Sequence, residues 1–192
     1  MKRQVLIRIG AAALAVAGLS WCIKAGTIIV TGYQPPLTLE LGQLLFPVGL
    51  IGIYLTFDRP HRLEKSGLVL AILGLVGSLL GLLYSLLPGA QISTGEEFIF
   101  PFSLFVLIGS VGGFVALLLI GIAILRTGTY WNRWRTVPVI VALVPLPLIA
   151  TVVIHLEIPI FLTGMAWLLL AYGLWRVANS NDFSEENQTV AA

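Results

Sequence analysis

Ten of the eleven lysine and arginine residues of this 192-residue chain fall at four places, and long apolar runs separate them. Lys2, Arg3 and Arg8 open the chain; Arg59, Arg62 and Lys65 form a second group; Arg126, Arg133 and Arg135 a third; Arg176 stands near the end. Apolar runs flanked in this way by cations are the pattern of helices threaded through a bilayer. The composition agrees: 58% of residues are hydrophobic and 10% charged, against roughly a quarter charged in a soluble domain. A soluble fold of this length leaves about a third of its chain surface in water and has nowhere to hide so much apolar area.

A helix needs about 20 apolar residues to cross the hydrocarbon core. Six segments meet that need approximately, the last two being short: 5–30, 38–57, 67–87, 98–125, 137–154 and 159–175. The runs lack the strict apolar–polar alternation of barrel strands, the other structure that satisfies a backbone in lipid. The fold class expected is therefore all-α: a polytopic membrane helix bundle of about six transmembrane helices over residues 1–176. A polar tail, 177–192, carries Asp182, Glu185 and Glu186 and has the composition of a disordered segment.

Orientation follows from the same cations. Threading the six spans puts ten basic residues on one side and leaves only Lys24 near the other. Glu40, Glu96, Glu97 and Glu157 collect on that other side. The basic side is assigned to the cytoplasm, which makes both termini cytoplasmic. The start, Met1-Lys2-Arg3-Gln4 before an alanine-rich run, also resembles a secretory leader, with Ala15-Val16-Ala17 as a small-x-small cleavage site. The reading adopted is an uncleaved first helix. A bacterial inner membrane is the expected location, given the compact loops.

Leu50-Ile51-Gly52-Ile53-Tyr54 recurs as Leu119-Ile120-Gly121-Ile122-Ala123 at an offset of 69, which suggests a repeat pairing 38–87 with 107–156. Small residues one turn apart occur at Gly77 and Gly81, at Gly109 and Gly113, and along Ala11, Ala15 and Gly18, as closely approaching helices require. The fifth segment contains Pro138, Pro145 and Pro147. Pro145 and Pro147 lie near its middle and are a candidate helix break, the kind of unwound stretch that exposes backbone groups in transporters.

Ionisable groups avoid the centres of the spans, where a charge costs about 2.5–3.5 kcal/mol on insertion scales. This weighs against proton pumps and voltage sensors. The candidate site is an outward-facing polar pocket of Lys24, Glu40, Glu96, Glu97, His155 and Glu157, with snorkelling interfacial charges as the plainer account of the same residues. Asp58, His61 and Glu64 have helical spacing, but the surrounding cations make them a charged loop and not a metal site. Arg126, Tyr130, Trp131, Arg133, Trp134 and Arg135 interleave cations with amphipathic rings and form a candidate anchor along the inner membrane surface. No catalytic motif, cofactor or metal site is expected. With one cysteine, Cys22, there is no internal disulfide. Membrane lipids, other membrane subunits or a second copy are the expected partners, and nucleic acid is not. The functional reading is a non-enzymatic accessory or scaffold subunit. The alternatives are a small transporter or channel using the proline-broken helix, and an intramembrane enzyme using the outer pocket.

Overall fold

The computed structural model describes residues 2–33, 35, 38–89, 100–127, 131–145 and 157–180. Within them the chain is helical and has no strand. The elements are α1 (Lys2–Thr31), α2 (Thr38–Tyr54), α3 (Arg62–Ser85), α4 (Phe102–Thr127), α5 (Val137–Leu143) and α6 (Glu157–Ala178), with a short 3₁₀ turn at Asn132–Trp134. Four of these helices, α1, α3, α4 and α6, are long and apolar enough to cross a membrane. The shortest of the four, α6, has 22 residues and reaches about 33 Å at 1.5 Å per residue, just over the thickness of a hydrocarbon core. α2 is also apolar but has only 17 residues.

The helix boundaries follow local chemistry. Glu40, Glu64 and Glu157 sit in the first turns of α2, α3 and α6, and Arg126 and Arg176 in the last turns of α4 and α6. Each charge faces the helix-dipole end of opposite sign. Pro138 lies within the first two positions of α5, where the missing N–H has no helical partner to lose. It starts a helix instead of kinking one. α3 begins at Arg62, five residues before the expected start of the third span, so Glu64 and Lys65 are helical. Residues 146–154, and with them the second half of the fifth expected span, lie outside the described residues.

Three antiparallel pairs build the bundle: α1 with α2, α1 with α6, and α3 with α4. α2 also packs on α3 and α4, α5 on α4, and α6 on α5, so that α1, α2, α4, α5 and α6 close a ring with α3 on its outside. The seams are made by glycine. A Cβ built on Gly10 would stand 2.6 Å from the Gly52 Cα, and one on Gly18 would stand 2.7 Å from the Gly164 carbonyl oxygen. Backbones that close can be brought together only where no side chain intervenes. The stripes noted in the sequence are spent here. Gly18 faces α6, Gly77 faces Ile108 and Gly109 of α4, and Gly113 faces Phe46 of α2.

Inside the ring the middle is filled by aromatic rings from four helices. Trp167 of α6 stacks on Phe46 of α2 at 4.2 Å and 8° between planes, and meets Trp21 of α1 at 4.5 Å and Phe114 of α4 at 6.2 Å. Phe46, Phe114 and Trp167 lie near the midpoints of their helices, and Trp21 lies more than a turn past the middle of α1. Gln43 of α2 donates to the Ser110 hydroxyl of α4 at 3.0 Å, close above the cluster.

One end of the bundle is tied by polar contacts. Arg3 Nε donates to the Leu55 carbonyl at 2.7 Å and its Nη1 pairs with Asp58 at 2.6 Å. Gln4 donates to the Ala178 carbonyl, Arg8 to the Asn179 side-chain oxygen, and the Trp131 indole N–H to Thr56 at 3.1 Å. These bonds join the start of α1, the end of α2, the approach to α5 and the end of α6. All four groups of cations thus stand at the same end.

The two glycine copies of the sequence repeat meet different partners. Gly52 meets Gly10 on the helix before it, and Gly121 meets Val139 on the helix after it.

The glycine seams make a differential prediction. Gly52→Ala should lower stability by about 1–3 kcal/mol, because its Cβ would meet backbone that must move apart. Gly26→Ala, with nothing within 4 Å, should raise it by about 0.5–1 kcal/mol. Unfolding in detergent followed by circular dichroism reads both, and equal effects would remove the seam.

Candidate functional site

The outer polar pocket expected from the sequence is gathered only in part. Lys24 lies on α1 near the untied end and is 5% exposed. Glu40, half-buried in the first turn of α2, is the acidic group whose charge reaches Lys24. This proximity follows from the antiparallel α1–α2 seam: Trp21 packs on Gly42, and the next turn out brings Lys24 to the level of Glu40. Glu157 takes part elsewhere. Half-buried at the start of α6, it lines a largely apolar cavity of about 460 Å³ with Ile28, Ile29 and Ile158, one turn farther along α1. Glu96, Glu97 and His155 lie outside the described residues. Lys24 and Glu40 therefore share one neighbourhood, and Glu157 has a separate one.

Pro145 is half-buried in a helical residue at the end of a described stretch, and Pro147 lies outside. In the expected anchor, Arg126, Arg133 and Arg135 are exposed and Trp134 is partly exposed, with its ring edge-on to Tyr172 at 5.3 Å. Tyr130 is outside the described residues. Trp131 corrects the expectation. It is fully buried, donating its N–H to Thr56, whose hydroxyl in turn donates to the Ile53 carbonyl at 2.7 Å. A ring expected at a lipid surface instead plugs the tied end of the bundle, because Gly173 of α6 leaves room for it.

The feature that sequence reasoning passed over is Glu64. Expected in an exposed charged loop, it is 2% exposed and lies in the first turn of α3. Its Oε2 is buried and accepts no hydrogen bond from the described residues. A cavity of about 600 Å³ opens beside it, lined from α3 by His61, Arg62, Leu63 and Lys65 and from α4 by Ala123, Arg126 and Thr127, with Pro60 at its edge. The signal for its burial was present. Gly67, Ala71, Gly74, Ser78 and Gly81 form the stripe of α3 that packs on α4, and one turn back along that stripe is residue 64. Asp58 and His61 are not drawn into a metal cluster with it. Among the described residues no three His, Cys, Asp or Glu side chains converge.

Comparison with protein-family models, with curated proteins and with solved structures finds no match to this chain. Function has to be argued from the site and the packing alone.

The Lys24–Glu40 neighbourhood generates a test. Glu40→Gln removes the charge facing a buried cation and should cost about 1 kcal/mol, whereas in a Lys24→Met background the same change should cost close to nothing. A double-mutant cycle measured by detergent unfolding decides it; additive costs would show that the two charges act independently.

Proposed function

We propose that the chain is a six-span protein of a bacterial inner membrane with both termini in the cytoplasm, acting as a non-enzymatic accessory or scaffold subunit of a membrane assembly. The observation that carries this reading is the filled centre of the bundle. Phe46, Phe114 and Trp167, with Trp21 packed beside them, fill the middle of the bundle, the part in which transporters hold their substrates. Buried aromatic clusters of this kind, flanked by glycine seams, resist the rocking motions that alternating access requires. A rigid body presenting lipid-facing apolar surface suits a structural role.

The orientation is supported by the gathering of the four cationic groups at the tied end, since retaining lysine and arginine on the cytoplasmic side is the dominant topological rule. The polar end then faces the cytoplasm, and Lys24, Glu40 and Glu157 face outward. The small-residue stripes are occupied within the bundle, so a partner meets the exposed apolar faces. On α3 these carry Val69, Ile72, Leu73, Val76 and Leu80.

Two measurements test the proposal. Reporter tags at position 61 and after residue 180 should appear on the same side of the membrane, and one at position 33 on the other. Purification from its native membrane in mild detergent should yield the chain with a stoichiometric protein partner. A monodisperse lone monomer would overturn the accessory role, and a split between position 61 and the C-terminal tag would overturn the threading.

A further inference from the structure

We infer that the cavity between the start of α3 and the end of α4 binds a phosphodiester headgroup that also carries a hydrogen-bond donor, an ammonium or a hydroxyl. The inference deepens the membrane reading by giving the bundle a specific ligand at its cytoplasmic level.

The phosphate half of the site is cationic. Arg62, Lys65 and Arg126 converge on one cavity of about 600 Å³ from two helices. The cavity also lies at the N-terminus of α3, whose residue before the first turn, His61, gives it no side-chain cap. The first backbone N–H groups of that 24-residue helix have no acceptor within the helix, and the helix dipole favours an anion there. Arginine supplies a planar fork matched to phosphate oxygens, which a single lysine ammonium does not.

A helix end ringed with cations is not enough to define a ligand, and Glu64 adds the second half. Glu64 lines the same cavity at 2% exposure, and its Oε2 has no hydrogen-bond partner among the described residues. A buried carboxylate oxygen without a donor costs free energy, about 1–3 kcal/mol or more. A ligand that brings its own donor relieves that cost. Three cations beside one carboxylate thus match a headgroup in which a phosphate and a donor lie a few bonds apart, as in phosphoethanolamine or phosphoglycerol. A phosphocholine headgroup carries the phosphate but no donor, and its three methyl groups bring nothing to Glu64. Leu63, Ala123 and Pro60 provide apolar wall next to the charged rim, as an amphiphile held at the end of two spans requires.

The test uses the full-length protein in neutral detergent. Equal amounts of short-chain phosphatidylethanolamine, phosphatidylglycerol and phosphatidylcholine are offered, and retained lipid is read by native mass spectrometry. The ethanolamine and glycerol lipids should be retained about tenfold over the choline lipid, the scale of one hydrogen bond to a charged group. Arg126→Gln and Lys65→Gln, both at exposed positions, should reduce retention of all three lipids. Glu64→Gln should erase the preference while leaving choline-lipid retention unchanged. Should Glu64→Gln fail to fold, the lipid series on the unaltered protein still decides whether a donor is read. Water-soluble glycerophosphoethanolamine separates the sources. Competition at equal concentration identifies a soluble phosphodiester as the ligand, failure to compete identifies the lipid, and either supports the shared chemistry. Equal retention of the three lipids by the unaltered protein, or retention indifferent to Arg126→Gln and Lys65→Gln, overturns the inference.

Discussion

The close approach of α1 to two neighbours at once is the constraint on which the rest of the bundle depends. Between apolar helices in lipid there is no hydrophobic drive, and dispersion contacts must accumulate over long, close seams. α1 supplies two such seams on adjacent faces. Gly10, Leu14, Ala17 and Trp21 run along α2, while Gly18 and Cys22 run along α6. Widening either seam by a methyl group would move Trp21 relative to Trp167, and with it the ring cluster that also locates Phe46 and Phe114. Two contacts without side chains therefore set the position of the bulkiest side chains in the molecule.

The same geometry explains why the polar bonds collect at one end. With α1 antiparallel to both α2 and α6, the start of α1 must meet the end of α2 and the end of α6. Arg3, Gln4 and Arg8 then find acceptors at Leu55, Asp58, Ala178 and Asn179 without long-range folding of any loop. Surface ion pairs such as Arg3–Asp58 contribute little by themselves, on the order of 0–1 kcal/mol. The backbone carbonyls at helix ends are a different case, because they lack intrahelical donors and take the side-chain N–H groups of Arg3 and Gln4.

Much of this was legible in the residues, and what was not has identifiable physical causes. Helices and their approximate limits follow from apolar length, and cation placement put the four basic groups at one level. Glycine spacing announced close packing, though nothing in the spacing says whether Gly18 meets another copy or Gly164 of its own chain. Trp131 was misread because its neighbours Arg133 and Arg135 are exposed cations. A 3₁₀ turn rotates it inward, and Gly173, 42 residues later, makes its space. Glu64 was misread for a related reason. Three cations within five residues of it, Arg59, Arg62 and Lys65, outweighed the small-residue stripe that continues through position 64. Hydropathy averages over a helix circumference, whereas burial is decided on one face of it.

Lys24 and Glu64 show what the bundle tolerates. They are the charged residues buried among those described, and both lie within two turns of a helix end, where the cost of desolvation falls toward the interfacial value. Lys24 has the opposite charge of Glu40 within electrostatic reach on the helix it packs against. Glu64 has cations on its own helix and across the cavity, and yet one carboxylate oxygen is without a donor among the described residues. A buried carboxylate oxygen without a donor costs free energy, and such a group is tolerated here at a helix end, where desolvation costs less than at mid-span.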